Sequence, residues 1–309
     1  MEKVKTGIFG LNPLLDGGFN KNSVTVVVGA PGAGKTTFVN QFLRKGLEEG
    51  QEAIYISLEE NKDQIVAECK EMGWDDVDEY FELGLLVLLE AGGIEFSKFI
   101  KEDFPSFVNE WKGSEARIVI DPLTPIIWAE DNKYEQRSLI SSLFKEAKKI
   151  GTVVATLEEH GVQGYMGGEE VVTPMYLADC VIHLKIVEPF GRMLSIRKCR
   201  SSWHSEEEHP FKIIRGPGLI VHRKPIFKSI KTIPADLKAR IEGILPAVSE
   251  KDRRHIESVL EHISEEDMGE IEPKELVDYI MEEYGVKSAK PHEQSNQALK
   301  GRKKDSEQG

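Results

Sequence analysis

Gly29 to Thr37 reads GAPGAGKTT, directly after Val24 to Val28, VTVVV. The nine residues fit the pattern GxxxxGK[ST], and the run before them has the length and β-branched content of a buried strand. Phosphate chemistry explains the residue types. Backbone N–H groups cradle phosphate oxygens only where no side chain intervenes, hence Gly29, Gly32 and Gly34, with Ala30, Pro31 and Ala33 between them. Lys35 is placed to reach the β- and γ-phosphates, and the Thr36 hydroxyl, with Thr37 beside it, to sit on Mg²⁺. Phe38, Val39, Phe42, Leu43 and Leu47 then recur at helical spacing up to Gly50. Such a helix points its positive N-terminus at the phosphates. The stretch implies binding of a nucleoside triphosphate.

Working outward, strand-like runs recur at Val24 to Val28, Ala53 to Leu58, Leu85 to Leu89, Ile118 to Ile120 and Thr152 to Leu157, separated by segments of helical period. This alternation predicts an α/β fold with a mostly parallel central sheet. One helix is expected from about Tyr134 to Ile150. Another starts near Ser97 and buries Phe99, Ile100, Phe107, Val108 and Trp111. Beyond residue 178, short apolar runs around a Pro189–Arg192 turn, at Met193 to Ile196, Phe211 to Ile214 and Leu219 to Val221, predict antiparallel strands extending the sheet.

The expected organisation is a main domain over residues 1–226, a helical appendage at 234–285 and a disordered tail at 286–309. The tail's one large aliphatic residue, Leu299, is too little to offset its ordering entropy. The chain has 309 residues, 40% of them hydrophobic, and a net charge of −13, which argues against duplex DNA or an anionic membrane as a bulk partner. No apolar run spans a bilayer and no signal peptide is evident, so a cytoplasmic protein without membrane insertion is expected. Cys69, Cys180 and Cys199 form no CxxC pair and read as reduced, structural thiols.

Turnover needs acids beyond the phosphate loop. In RIVID, Asp121 follows Ile118 to Ile120, the context of a carboxylate that holds the metal through water; the alternative is a turn or helix-capping Asp before Pro122. In YISLEE, Glu59 and Glu60 fall at a strand's C-terminal end, where ligands of open α/β sheets sit. A carboxylate there suits the deprotonation of an attacking water; the alternative is that the pair caps a helix beginning near Asn61. Arg197, Lys198 and Arg200 cluster in an acidic chain, and strand alternation sends Lys198 and Arg200 to one face, either to meet a phosphate or to keep an edge strand solvated.

GLNPLLDGGFNKNSVTVVVGAPGAGKTT, YISLEE, RIVID and IRKCRSSWHS, in this order over roughly residues 5–222, together resemble the KaiC-like branch of the RecA superfamily, in its single-domain, archaeal form. The resemblance implies a RecA-like P-loop NTPase fold and an ATPase using ATP and Mg²⁺. It implies that Glu59 is the catalytic base, with Glu60 beside it. It further implies a homo-oligomer, usually a hexameric ring, with ATP between subunits and Lys198 and Arg200 reaching a neighbour's γ-phosphate.

Three departures limit the transfer. Clock members carry two tandem ATPase domains, whereas one P-loop is present here. Their phosphorylated Ser-Thr pair aligns with Met175 and Tyr176, so autokinase activity is not expected. Pro122 follows Asp121 where Ser is common, removing a backbone donor and a hydroxyl. The leading reading is an oligomeric regulatory or assembly ATPase. The alternatives are a RecA- or RadA-like recombination or repair mediator and a nucleotide-dependent switch with little turnover. The segment Glu158 to Pro174, which approaches DNA in recombinases, has no Lys or Arg nearby from Gly151 to Leu184, so nucleic acid is disfavoured as a partner.

Overall fold

The computed structural model describes residues 1–159, 169–187 and 191–222, with positions 249–250, 253–254, 278–279 and 282. Nearly all of the expected appendage and the whole of the expected tail lie outside the described residues.

The chain enters through a short antiparallel ribbon, β1 (Lys3–Val4) with β2 (Phe19–Asn20), around a 3-10 turn at Asn12–Leu15. There follow β3 (Val24–Gly29), α1 (Lys35–Glu48), β4 (Ala53–Ser57), α2 (Lys62–Glu71), α3 (Val77–Glu82) and β5 (Leu86–Glu90). Next come α4 (Gly93–Glu102), α5 (Phe104–Trp111), β6 (Ala116–Asp121), α6 (Thr124–Trp128), α7 (Lys133–Ala147) and β7 (Gly151–Glu158). After them stand α8 (Glu169–Leu177), β8 (Cys180–Val187), β9 (Gly191–Cys199), β10 (Glu208–Ile214) and β11 (Gly218–Val221).

The large sheet has the order β11-β10-β9-β8-β3-β7-β6-β4-β5. The six strands from β8 to β5 are mutually parallel, and β9, β10 and β11 continue the sheet antiparallel. The three runs expected to extend the sheet are β9, β10 and β11, and ahead of them β8 adds a further parallel strand beside β3, from Thr25 opposite Cys180 to Gly29 opposite Leu184. The first five residues of β8 are buried, the pattern of an inner parallel strand covered on both faces.

The connecting helices cover both faces of the sheet. On one face, α1 lays Phe38, Phe42, Leu43 and Leu47 in a core with Val27, Tyr55, Val119 and Val154. On the other, Phe96, Ile100, Val108, Leu139, Leu143 and Phe144 pack with Val26, Val28, Ile54, Ile118 and Ile120. Each such side chain contributes about 1.5–3 kcal/mol of burial, so the central strands are held from both sides. The single helix expected from Ser97 to Trp111 is two, α4 and α5, because Pro105 lacks the N–H that would continue the ladder through Asp103.

Two buried polar side chains tie distant segments. Gln41 on α1 donates from Nε2 to the carbonyls of Gly7 (2.8 Å) and Pro217 (2.9 Å), and its Oε1 accepts from the Leu219 N–H (2.7 Å). Arg117, 1% exposed at the start of β6, donates to Gln51 Oε1, to the carbonyls of Lys5 and Phe42, and to Glu49 Oε2.

Candidate functional site

The phosphate loop leaves β3 at the C-terminal edge of the sheet. A Cβ on Gly29 would lie 2.7 Å from the Leu184 carbonyl oxygen and 3.1 Å from the Ala33 Cβ, so the strand end sits too close to β8 for any side chain. Gly34 precedes α1 at φ 103°, and a Cβ there would stand 2.6 Å from Ile213 Cδ1. At Gly32 an added Cβ would meet nothing within 4 Å, so this side of the loop is open. An open cradle before the N-terminus of a 14-residue helix fits a phosphate chain. Lys35 Nζ rests on the carbonyls of Gly29 (3.0 Å) and Ala30 (3.3 Å), and Arg192 Nη2 donates to the Gly32 carbonyl at 3.2 Å.

The strands beside β3 deliver acids to the same edge. Asp121 ends β6 opposite Ser57, the last residue of β4. Its carboxylate accepts from Tyr55 Oη (3.0 Å) and from the hydroxyls of Thr156 and Thr36. Burial pushes the Asp121 pKa up, against the pull of these hydrogen bonds and of Lys35. Thr36 and Asp121 thus already touch, which suits a small cation taking one hydroxyl and one carboxylate. Among the described residues no three His, Cys, Asp or Glu side chains form a cation cage of their own.

Burial lowers the Lys35 pKa, while Glu158, Asp121, Glu59 and Glu159 raise it, so four carboxylates surround one ammonium. Glu59 is exposed; partial desolvation raises its pKa first, then Glu158 and Asp121, with Lys35 opposing. Glu60 is half-buried, hydrogen-bonds Glu68, and is pushed up to about 7 by burial and then by Glu68, Asp121 and Glu59. The pair therefore diverges: Glu59 faces water within the field of Lys35, and Glu60 turns to Glu68 on α2. The cap of α2 belongs to Asn61, whose side chain accepts from the Gln64 N–H at 3.0 Å while Gln64 Oε1 accepts from the Asn61 N–H.

Lys198 and Arg200 lie elsewhere. Lys198 stands opposite Val181, which pairs with Val26, three residues short of Gly29 and two strands from it. That places it ~10 Å down the sheet and ~10 Å across from the loop. Its Nζ donates to the carbonyls of Met175 (2.9 Å), Tyr176 (3.1 Å) and Ala178 (2.5 Å), at the C-terminal end of α8. Arg200 Nη2 donates to the same Tyr176 carbonyl at 2.9 Å. The two cations do converge, as alternation predicts, but away from the phosphate loop of their own chain. Of the segment Glu158 to Pro174, Glu158 closes β7 and Pro174 lies within α8, so part of it is helix rather than loop; residues 160–168 lie outside the described residues.

Several site residues escaped the sequence reading. Tyr55 and Thr156 are hydroxyls inside mostly apolar strands, Glu68 sits mid-helix, and Arg192 lies in a hairpin 160 residues from Gly32. Glu158 and Glu159 stood out only as acids lacking nearby cations. Glu159 is buried, its N–H donates to the Gly29 carbonyl at 3.1 Å, and its carboxylate meets buried His183 Nε2 at 3.1 Å. Burial lowers the His183 pKa against the raising effect of Glu159.

A family model described as "ATPase: KaiC" matches residues 4–226. A UPF0273 protein of Methanopyrus kandleri is 32% identical over 232 residues, 69% of this chain and 89% of that protein. A UPF0273 protein of Pyrococcus horikoshii is 31% identical over 250 residues, 75% of this chain and 98% of its own length. The circadian clock protein KaiC3 of Synechocystis is 28% identical over 72% of this chain, a match spanning 46% of the clock protein. Among solved structures, a KaiC-like protein of Pyrococcus horikoshii superposes with a TM-score of 0.59 at 28% identity, covering 72% of this chain and 99% of that one. No described helix is long and apolar enough to cross a membrane.

Proposed function

The chain belongs to the KaiC family of ATPases, and on that premise we propose that it binds ATP with Mg²⁺, hydrolyses it, and works as a homo-oligomeric ring, hexameric in the simplest case, whose nucleotide state controls assembly or partner binding. The observation that carries this reading is the convergence of Lys35, Thr36, Asp121 and Glu59 at one sheet edge, with Lys198 and Arg200 converging on the Tyr176 carbonyl away from that loop.

In this reading the N–H groups of Gly29 to Thr37 cradle the phosphates, and Lys35 leaves the carbonyls of Gly29 and Ala30 for the β- and γ-phosphate oxygens. A magnesium ion held through Thr36 and Asp121 would neutralise charge on those phosphates. Glu59, exposed and with a raised pKa, takes the proton of the attacking water, a role worth typically 10²–10⁴ in rate. Lys198 and Arg200 serve the neighbouring subunit's nucleotide. Exposed Tyr176 and Trp203 beside them support an intersubunit contact there.

Glu59→Gln is the direct test. It should preserve ATP binding and abolish most phosphate release; equal turnover in the variant and the wild type would refute the assignment. The same comparison separates an ATPase from a switch that binds without turnover.

A further inference from the structure

Cys180 and Cys199, read from sequence as unrelated structural thiols, stand directly opposite each other on β8 and β9. One residue further along, the Arg200 N–H donates to the Asp179 carbonyl at 2.8 Å. Antiparallel pairs alternate, so the cysteines occupy a non-hydrogen-bonded position, where Cα atoms approach to ~4.5 Å and side chains come closest. That separation lies within the ~4.4–6.8 Å range of disulfides. Both thiols are free and hydrogen-bond each other. They face the core that also holds Ile182 and Leu194, so Cys199 points away from the side taken by Lys198.

We propose that Cys180 and Cys199 are a redox-active dithiol, a modification site that closes into an intrachain disulfide across β8 and β9 when a hydroperoxide oxidises it. The two partners are unequal. The Cys180 thiol donates to Cys199, and Lys3 and Ser202 add to the stabilisation of negative charge there, so the Cys199 pKa is lowered while that of Cys180 is raised. Cys199 is also the more exposed, at 9% against 3%. It is therefore the attacking thiolate and Cys180 the resolving thiol.

The steps balance. The Cys199 thiolate attacks a peroxide oxygen, an S–O bond forms as the O–O bond breaks, and the released hydroxide or alkoxide takes a proton from solvent. The Cys180 sulfur then attacks the sulfenic sulfur; the S–S bond forms, the S–O bond breaks, and hydroxide leaves as water with the Cys180 proton. Two electrons pass from the thiols to the peroxide. Cys69 is the internal control, a thiol that burial pushes up to about 12. Because Cys199 stands between Lys198 and Arg200, closure also fixes the backbone that carries both. That consequence for ATP turnover rests on the ring reading, whereas the linkage itself does not.

The test treats the full-length protein with hydrogen peroxide, alkylates remaining thiols after unfolding, and maps non-reduced peptides by mass spectrometry. The expected result is a dithiothreitol-reversible link between the peptides of Cys180 and Cys199, with Cys69 alkylated. In Cys180→Ser the reaction should stop at a dimedone-trappable sulfenic acid on Cys199, and in Cys199→Ser the Cys180 thiol should persist. Three free thiols after treatment, a link to Cys69, or a link only between chains would each overturn the proposal. A Cys180–Cys199 link with unchanged turnover would overturn only the tie to Lys198 and Arg200.

Discussion

Glu60→Gln should stabilise the protein at pH 8 and leave it unchanged at pH 4.5. In the folded chain, burial and the carboxylates of Glu68, Asp121 and Glu59 raise the Glu60 pKa from its ordinary 4.5 to about 7. A folded-state pKa above the unfolded one means that the folded state keeps a proton which the unfolded chain releases. Stability is then complete below pH 4.5, declines between 4.5 and about 7, and is lowest above it. At 1.36 kcal/mol per pH unit the ceiling is ~3.4 kcal/mol; water screening of this half-buried group brings it to ~1–2 kcal/mol. Glutamine stays neutral at every pH and still donates a hydrogen bond to Glu68. The melting temperature of the nucleotide-free variant should therefore exceed that of the wild type by ~2–8 °C at pH 8 and match it at pH 4.5. Paired melts at matched ionic strength decide the matter. An equal offset at both pH values, or a loss at pH 8, would refute the raised Glu60 pKa.

Asp121→Asn removes a buried charge whose pKa the fold raises, so melts without nucleotide at neutral pH should show no loss of stability, while magnesium-dependent retention of a fluorescent ATP analogue should be lost. Unchanged retention would take the metal away from Asp121. Arg117→Met strands the carbonyls of Lys5 and Phe42, and should lower stability by ~1–3 kcal/mol in urea titrations; no measurable loss would contradict the network. Mixing Lys35→Ala with Arg200→Ala protein should restore part of the phosphate release that each lacks alone. No rescue, with an active monomer on sizing, would sink the shared-site reading.

Much of the sheet was legible because β3, β4 and β6 are buried at every position and so read as mostly apolar runs. The direction of β8 was not, because it depends on the chain returning past β7 to lie beside β3. Pro105 was visible, but helical spacing on both sides of it hid the break between α4 and α5. In the site, the phosphate loop is local and declared itself. The hydroxyls of Tyr55 and Thr156 reach Asp121 across 66 and 35 residues, and only strand register brings them there. The Cys180–Cys199 pairing likewise depends on register, with an irregularity at Val181 and Ile182 that no spacing in the sequence announces.

The clasp of Gln41 on Gly7, Pro217 and Leu219 has a consequence in time. It joins the helix after the phosphate loop to a turn 176 to 178 residues later in the chain. During synthesis at ~5–20 residues per second, that turn emerges roughly 10–40 s after Gln41 does. Throughout that interval the nascent helix has its apolar stripe but no lock against β10 and β11. Ile213, which stands over Gly34, arrives just as late. The phosphate loop is thus among the first motifs to be translated and among the last to be shaped.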